Sequence, residues 1–350
     1  MKAVATPIVA TFAASLALLM AGTASAKTPD VVVSIKPIHS LVASIMKGVG
    51  EPRLIVEGAA SPHTYSMKPS NARAIQNADL IFWMGPNLEA FLDKPLDALA
   101  GSKTVVALSD SPDLQKLPFR EGGPFEAHDH GHEGHGHEGH EHEGEHAEGH
   151  DHAHEGEHAE ADHDKGDAHA EHDHEHGGFD AHVWLDPINA KVIGREIAKR
   201  LAEADPEHAK QYEDNAAGLM RQLDELDAEI KATVAPVKDK PFIVFHDAYQ
   251  YFEKRYDVTV AGSITVSPET LPGADRISQI HKKVTELGAT CVFAEPQFTP
   301  KLVNVVLEGT PAKAGTLDPE AATLKEGPDL YFQLMRGIAE SMKTCLSGKA

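Results

Sequence analysis

The sequence predicts an α/β protein whose two lobes are joined by one long helix. Up to about residue 204, short apolar runs bounded by Gly and Pro alternate with helical patterns. One long apolar stripe follows, and the alternation resumes after Pro236. Continuous β-branched runs between glycines and prolines are typical of parallel strands buried on both faces. We therefore expect an N-terminal α/β lobe at 27–204, a linking helix at 205–235 and a C-terminal α/β lobe at 236–350.

The first 26 residues precede this pattern and are typical of an export signal. Lys2 is followed by an apolar stretch, and Ala24-Ser25-Ala26 forms a small-x-small cleavage site. We expect segment 1–26 to be removed by cleavage near Ala26, which would leave a soluble chain outside the cytoplasm. No other stretch reaches the roughly 20 apolar residues of a membrane span. A retained N-terminal anchor helix is the alternative.

The elements of each lobe follow from the apolar runs and the segments between them. A helix should follow Lys36-Pro37, and others should begin near Ser70, Asn87, Gly273 and Asp329. The predicted strands are 31–35, 54–56, 80–84 and 105–108 in the first lobe, and 242–245, 258–260 and 291–294 in the second. Ligands of open α/β sheets bind beyond the carboxyl ends of the strands. We therefore expect a binding cleft between the lobes.

The linking helix is predicted from one apolar stripe. Its members recur at spacings of 4, 3, 4, 3 and 4 residues: Tyr212, Ala216, Leu219, Leu223, Leu226 and Ile230. This spacing places them on one helix face, with Asp205 as the N-cap and Pro206 in the first turn. A helix of this length can cross from one lobe to the other. The alternative is an ordinary helix in the core of one lobe.

The negative charge is concentrated in one segment. The chain has 32 Lys and Arg against 54 Asp and Glu, a formal charge of −22, which argues against nucleic acid and anionic membranes as partners. Residues 128–176 contain 17 of the 23 histidines, 17 acidic residues and one base, Lys165. The other residues there are glycine and alanine, which bury little apolar surface. We therefore expect a disordered His/Asp/Glu-rich loop over 126–178.

Six histidines lie outside that segment, and three of them stand at the polar boundary of an apolar run. His63 lies in a loop after the strand at 54–56, His182 begins the motif His-Val-Trp-Leu-Asp-Pro, and His246 directly follows the run 242–245. Neutral imidazole is a preferred ligand of Zn²⁺, although it also suits nickel and copper. We expect these three histidines to share one metal site in the cleft. The alternative is a structural role for each.

A tetrahedral zinc site needs a fourth ligand, and a carboxylate would complete it. Asp318 and Glu295 are the candidates, and spacing does not choose between them. Asp186 and Asp247 lie beside two of the histidines. They are expected to be outer hydrogen-bond partners of the site or ordinary helix caps.

The remaining three histidines outside the charged segment have weaker claims to a metal. His208 and His281 fall among charged residues on helical patterns, which indicates solvated faces. His39 opens a helix after Lys36-Pro37, where it could lie near the cleft.

The motifs around these residues resemble those of the periplasmic metal-binding proteins of the cluster A-I type, which feed ABC importers, and in particular the zinc members of that family. The resemblance extends over essentially the whole mature chain. The matching segments are 34–40, 58–70, 182–187, 245–249, 293–298 and 315–319. The charged segment is also similar to the His-rich insertion of many zinc members.

The resemblance implies two similar lobes bridged by one rigid helix, with a metal held between them by one ligand from each of four loops. His63, His182 and His246 match the three histidine ligands, and Asp318 matches an aspartate that closes the site in many relatives. Manganese members typically have a carboxylate at the position of His246, so the resemblance favours zinc. Some zinc members have Glu before the first histidine, where this chain has Pro62. That departure leaves Asp318, or a water, as the fourth ligand.

The two cysteines, Cys291 and Cys345, are expected to form a disulfide. An even number of cysteines in an oxidising compartment favours pairing, and the pair matches a disulfide of similar proteins in this family. Two buried thiols are the alternative.

The expected function is capture of Zn²⁺ in the periplasm and its delivery to the membrane permease of a zinc ABC importer, by a monomer that is not an enzyme. The His-rich loop is expected to collect or buffer zinc, and other periplasmic zinc-binding proteins are further candidate partners. For the loop, a solvated spacer is the alternative. The rival functions are a zinc-dependent hydrolase and a free-standing metal buffer or adhesion protein. The absence of a His-Glu-x-x-His motif argues against the hydrolase.

Overall fold

Each lobe is built on one parallel sheet of four strands within the part of the chain that the structure describes. In this computed structural model the described residues are 27–120, 125, 178–265, 268, 271–288 and 290–348. The predicted export signal, and all of the predicted disordered loop except residue 178, lie outside the described residues.

The two sheets have the same strand order, which confirms two similar α/β lobes. The order is β2-β1-β3-β4 in the first sheet and β6-β5-β7-β8 in the second, and all pairs are parallel. The strands are β1 (Val31–Val33), β2 (Arg53–Leu54), β3 (Leu80–Trp83), β4 (Thr104–Ala107), β5 (Phe242–His246), β6 (Val260–Thr265), β7 (Cys291–Ala294) and β8 (Lys313–Thr316). The central strands β1, β3 and β5 are buried along their whole length, as their unbroken apolar runs predict.

Helices cover both sheets and connect the lobes. They are α1 (Lys36–Ile45), α2 (Pro69–Asn77), α3 (Ala90–Leu99) and α4 (Pro187–Ala204) in the first lobe, α5 (Ala209–Val234) between the lobes, and α6 (Gln250–Tyr256), α7 (Ala274–Glu286), α8 (Lys301–Leu307) and α9 (Leu330–Leu346) in the second. Among the described residues, none of these helices combines the length and the apolar composition that crossing a membrane requires.

The long helix α5 bridges the lobes, as its stripe predicts. All six predicted stripe residues are buried, and α5 packs against α1 and α4 of the first lobe and against α6 and α9 of the second. Its 26 residues span roughly 39 Å at 1.5 Å per residue. The helix begins at Ala209 rather than Pro206, because the Asp205 carboxylate accepts hydrogen bonds from His208 Nδ1 and the Tyr212 hydroxyl instead of capping the first turn.

The sequence patterns do not predict α4, α6, α8 or β8. Helices α6 and α8 have seven residues each, too few to show a helical period. On α4 the apolar stripe is interrupted by Gly194, where a Cβ would come within 2.8 Å of the Met220 side chain. A small residue is therefore needed where α4 and α5 approach closely. Gly194 interrupts the apolar periodicity from which α4 could be predicted.

A loop of the second lobe is bound to the first lobe. The buried Lys36 ammonium donates hydrogen bonds to the carbonyl oxygens of Ala321, Ala322 and Leu324, at 3.3, 3.1 and 3.0 Å. The Ser40 hydroxyl donates to the carbonyl of Pro328 at 3.0 Å. These bonds join the start of α1 to the segment before α9, so the lobes are connected on this side as well as through α5.

The disulfide expected between Cys291 and Cys345 is present. It joins the start of β7 to the last turn of α9, with the two Cα atoms 6.2 Å apart. The bond therefore closes a loop of 54 residues that contains α8, β8 and most of α9.

Replacing both cysteines by serine should lower the free energy of unfolding of the metal-free protein by about 2–4 kcal/mol, because the cross-link restricts the unfolded chain. Urea titration followed by circular dichroism measures the change. Ser347→Ala, at an exposed serine just after α9, is the control and should leave the midpoint unchanged. A loss of less than about 1 kcal/mol in the double variant would contradict a stabilising role for the disulfide.

Candidate metal site

Three histidines from three separate segments meet between the lobes. His63 lies in a 3-10 helix, Pro62–Thr64, after β2. His182 directly precedes the 3-10 helix Val183–Leu185, which leads into α4. His246 is the last residue of β5 and is therefore at the carboxyl end of a central strand, where ligands of such sheets bind.

The imidazole nitrogens of these residues converge on one point. His182 Nε2 lies 3.3 Å from His63 Nε2 and 3.3 Å from His246 Nε2. One nitrogen from each ring lies within 4.8 Å of the other two, the spacing expected of ligands around a metal ion. His182 and His246 are buried, and His63 is partly exposed. The sequence prediction that these three residues share one site agrees with this geometry.

Two buried carboxylates determine which nitrogen faces the point of convergence. Asp180 Oδ1 lies 2.7 Å from His182 Nδ1, and Glu295 Oε1 lies 2.6 Å from His246 Nδ1. A carboxylate accepts hydrogen bonds, so each Nδ1 carries the proton and each Nε2 presents a lone pair. Two lone pairs 3.3 Å apart repel each other, and a cation between them removes the repulsion. The arrangement is that of a metal site.

The pKa values of two of the histidines shift in opposite directions. Burial, together with the charges of His182 and His246, holds the pKa of His63 well below 6.5. Burial also lowers the pKa of His246, but the charge and hydrogen bond of Glu295, with the charges of Asp247 and Asp180, outweigh burial and raise it above 6.5. His63 therefore keeps its lone pair at a lower pH than His246, whose ring is protonated more readily and loses its ability to ligate first as the pH falls.

The two candidates for the fourth ligand occupy different positions. Glu295 is an outer partner of His246, and its second oxygen is buried without a hydrogen-bond partner among the described residues. Asp318 is not among the groups whose donor atoms lie within 4.8 Å of one another in the described chain. Its carboxylate accepts hydrogen bonds from the Gln297 amide at 3.2 Å and from the Ala322 backbone at 3.0 Å.

A further acid lies near Asp318. Glu320 is buried, and one of its oxygens has no hydrogen-bond partner in the described part of the chain. Burial raises its pKa well above 4.5, and the charges of Glu89, Asp318 and Glu295 raise it further. The same surroundings therefore disfavour the charged form of this carboxyl relative to an exposed glutamate.

The other residues singled out in the sequence are not members of the three-histidine group in the described part of the chain. His39 Nε2 is 3.0 Å from the Pro52 carbonyl, so this ring belongs to the first lobe. His208 is bound to Asp205, and His281 Nε2 lies near the Glu308 carbonyl on the surface. Asp186 caps α4 by accepting a hydrogen bond from the Ile188 backbone at 2.8 Å. Of the two roles expected for it, the structure shows the helix cap.

Asp180 is the functional residue that the sequence patterns miss. It accepts hydrogen bonds from both the ring and the backbone N–H of His182. A carboxylate two residues before a candidate ligand is a usable signal, because a side chain at that spacing can turn back onto the ring. Asp180 is hard to distinguish in the sequence because the charged segment just before it contains many other acidic residues.

The fold and the site together define a two-lobed protein that holds a metal ion between parallel sheets. A family model for the periplasmic component A of zinc-uptake complexes matches residues 31–345. The high-affinity zinc uptake system protein ZnuA of Brucella suis is 60% identical over 317 residues, which cover 91% of each chain. The chain belongs to this family of periplasmic zinc-uptake components, which are solute-binding proteins.

Solved structures show the same fold at lower identity. A crystal structure of ZnuA matches with a TM-score of 0.68 at 23% identity and covers 91% of this chain and all of its own. The periplasmic zinc-binding protein TroA from Treponema pallidum matches with a TM-score of 0.70 at 20% identity, over 91% of this chain and 99% of its own. These likenesses support the two-lobed architecture.

Metal affinity should depend on the proton that His246 holds. We expect zinc affinity to fall as the pH is lowered through the raised pKa of His246, because the protonated ring cannot ligate. Glu295→Gln removes the charge that raises this pKa and should move the midpoint to lower pH. It should also weaken binding at pH 8 by about 10–100-fold, the usual effect of losing an outer partner.

Competition titrations against a zinc chelator at several pH values measure both effects. Glu340→Gln, at an exposed glutamate on α9, is the control and should change neither. An unchanged midpoint in Glu295→Gln would contradict the role assigned to this carboxylate.

Proposed function

We propose that this protein captures Zn²⁺ in the periplasm and presents it to the membrane permease of an ABC importer. The observation that carries the proposal is the convergence of three imidazole lone pairs, two of them oriented by buried carboxylates. Zinc is the metal to expect, because it accepts a tetrahedral set of nitrogen and oxygen ligands and because the relatives named above are zinc proteins. In this proposal the export signal directs the chain to the periplasm, cleavage near Ala26 leaves it soluble there, and it acts as a monomer.

His63, His182 and His246 are the proposed zinc ligands, with Asp318 as the fourth. Asp318 would exchange its hydrogen bonds to Gln297 and the following backbone for the metal. Its loop lies close to the histidines, since the Trp184 indole donates to the Pro319 carbonyl at 3.0 Å and the Trp184 ring centroid is 5.3 Å from that of His182. Three neutral imidazoles and one carboxylate around Zn²⁺ give a net charge of +1.

Release requires a local rearrangement on docking to the permease. The bridging helix α5 and the bonds from Lys36 hold the lobes together on one side of the cleft. A wide hinge opening would break both sets of contacts. We propose that docking moves one ligand-bearing loop, or shifts the lobes slightly, and so lowers the affinity at the three-histidine site.

The His-rich segment 128–176 is proposed to collect or buffer zinc for this site. Many of its histidines are one or two residues from another histidine, with acids nearby, which suits several weak metal contacts. Exchange between this segment and other periplasmic zinc-binding proteins is part of the proposal.

Hydrolysis is less well supported as a function. The two carboxylates nearest the histidines, Asp180 and Glu295, bind the outer nitrogens of the ligands. Neither is therefore placed to activate a water molecule as a general base.

The central test removes one ligand. His182→Ala should weaken zinc binding by more than about 100-fold, the upper range for losing a mere outer partner. Competition titration measures the affinity of the purified protein. Zinc-limited growth of a strain that depends on the variant measures delivery. His281→Ala, a surface histidine, is the control.

The outcomes of that test separate the candidates. Tight binding by His182→Ala would contradict the ligand assignment, and growth independent of the protein under zinc limitation would favour a free-standing buffer. Asp318→Asn in the same titration tests the fourth ligand. If Asp318 binds the metal, this variant should have a lower zinc affinity than the wild type.

Deleting residues 128–176 should leave one tight zinc site and remove the weak ones. Isothermal calorimetry of the full chain and the deletion variant counts both classes of site. At pH 5 the weak sites of the full chain should also disappear, because protonated imidazole does not ligate. An unchanged stoichiometry after the deletion would show that the segment is a spacer.

A further inference from the structure

The residues just before and just after the charged segment lie side by side and pack against α6 of the second lobe. Pro118 and Phe179 form an antiparallel bridge, and the Asp180 backbone N–H donates to the Leu117 carbonyl at 2.9 Å. The Tyr251 hydroxyl on α6 accepts a hydrogen bond from the Leu117 N–H and donates one to the Asp180 carbonyl, at 3.0 and 2.7 Å. The base of the segment is thus attached to α6, next to the metal site.

Arg120 makes the strongest of these contacts. Its Nε donates to Asp247 Oδ2 at 3.0 Å and its Nη2 donates to the other oxygen of the same carboxylate, so the pair is bidentate. Nη1 donates to Glu253 Oε2 at 3.1 Å. The Phe125 ring centroid lies 3.9 Å from the guanidinium carbon and covers its other side. The Arg120 side chain therefore binds both the residue that follows β5 and a residue of α6.

The position of Asp247 gives this contact its importance. Asp247 directly follows His246, and its side chain is fully buried. Arg120 is the cation that binds this carboxylate within the described residues. A bidentate pair restricts both position and direction, so Arg120 fixes the backbone beside a proposed metal ligand.

We propose that Arg120 is a positioning residue that latches the cleft and slows the release of the metal. The latch rests on the proposed function, because it acts on the three-histidine site. Through Arg120, Phe125 just before the charged segment is connected to Asp247, the residue that follows the proposed ligand His246. A disturbance at the base of the segment, such as docking to another protein, would therefore be transmitted to the metal.

Electrostatics alone makes the opposite prediction. Arg120 brings a positive charge close to a cation site, so removing that charge should strengthen metal binding if charge were its only effect. A positioning role requires faster release when the bidentate geometry is lost, even when the charge is kept. The lysine variant separates the two, because lysine keeps the charge and lacks the fork.

The experiment measures the rate at which zinc-loaded full-length protein gives up zinc to an excess of chelator. Arg120→Gln should release zinc about 10-fold faster than the wild type, the lower range for an outer partner of a metal site. Arg120→Lys should lie between the two. Arg336→Gln is the control, since Arg336 makes a bidentate pair with Glu229 on the exposed surface between α9 and α5.

A second readout follows the geometry of the ligands. The visible absorption bands of the Co²⁺-loaded protein report ligand geometry, and they should change in Arg120→Gln and Arg120→Lys but not in Arg336→Gln. A purely structural effect would lower the unfolding midpoint of the metal-free protein and leave the bands and the release rate unchanged.

The outcomes are decisive in each case. If Arg120→Gln does not fold, Arg120→Lys carries the test, and release at the wild-type rate overturns the latch. Slower release in Arg120→Gln also overturns it, in favour of a charge effect. A wild-type protein whose zinc affinity equals that of His182→Ala overturns the proposed function and the latch with it. A tight wild-type site with unaltered release from both Arg120 variants overturns the latch alone.

Discussion

The hydrogen bonds that two histidine rings donate to two buried carboxylates are the constraint on which the site depends. Each bond places the proton on Nδ1, so that the Nε2 atoms of His182 and His246 face each other as lone pairs 3.3 Å apart. Without a cation this contact is repulsive, and a hydrogen-bonded imidazole pair would require one proton between the rings. The charge and hydrogen bond of Glu295 raise the pKa of His246 above its usual value, so a second proton on this ring is favoured more than on a free imidazole. Metal and proton therefore compete for one buried position.

The parallel sheet explains why Glu295 is available to His246. Strands β5 and β7 are neighbours, so their carboxyl ends reach the same edge of the sheet. His246 ends β5 and Glu295 immediately follows β7. Because Gly315 on β8 leaves space for the Phe293 ring, where a Cβ would collide, the strands at this edge pack closely. The fold thus brings a candidate ligand, His246, and the carboxylate that orients its ring together from positions 49 residues apart.

The sequence indicates the three histidines of the candidate site better than the carboxylates that support them, and the reason is physical. A histidine at the end of an apolar run is visible because strand ends lie at the binding edge of such folds. Glu295 is visible as an acid after a strand, but whether it binds the metal or His246 depends on a separation of a few ångströms that spacing does not encode. Arg120 pairs with a residue 127 positions away and follows no apolar pattern, so sequence periodicity carries no sign of it.

The connections between the lobes are unevenly distributed around the cleft, and this asymmetry limits how the metal can leave. On one side α5 packs against both lobes, and Lys36 binds three carbonyls of the loop that precedes α9. These contacts involve a buried helix face and a buried ammonium, and breaking them would leave polar groups without partners. The Arg120 side chain, in contrast, is 22% exposed and joins segments at the rim. Water can reach the guanidinium as its hydrogen bonds break, although the buried Asp247 carboxylate would lose its partner. Opening on this side would break one side-chain contact rather than a packed helix face, so we expect movement at Arg120 and Asp247, beside His246, before movement at the bridging helix.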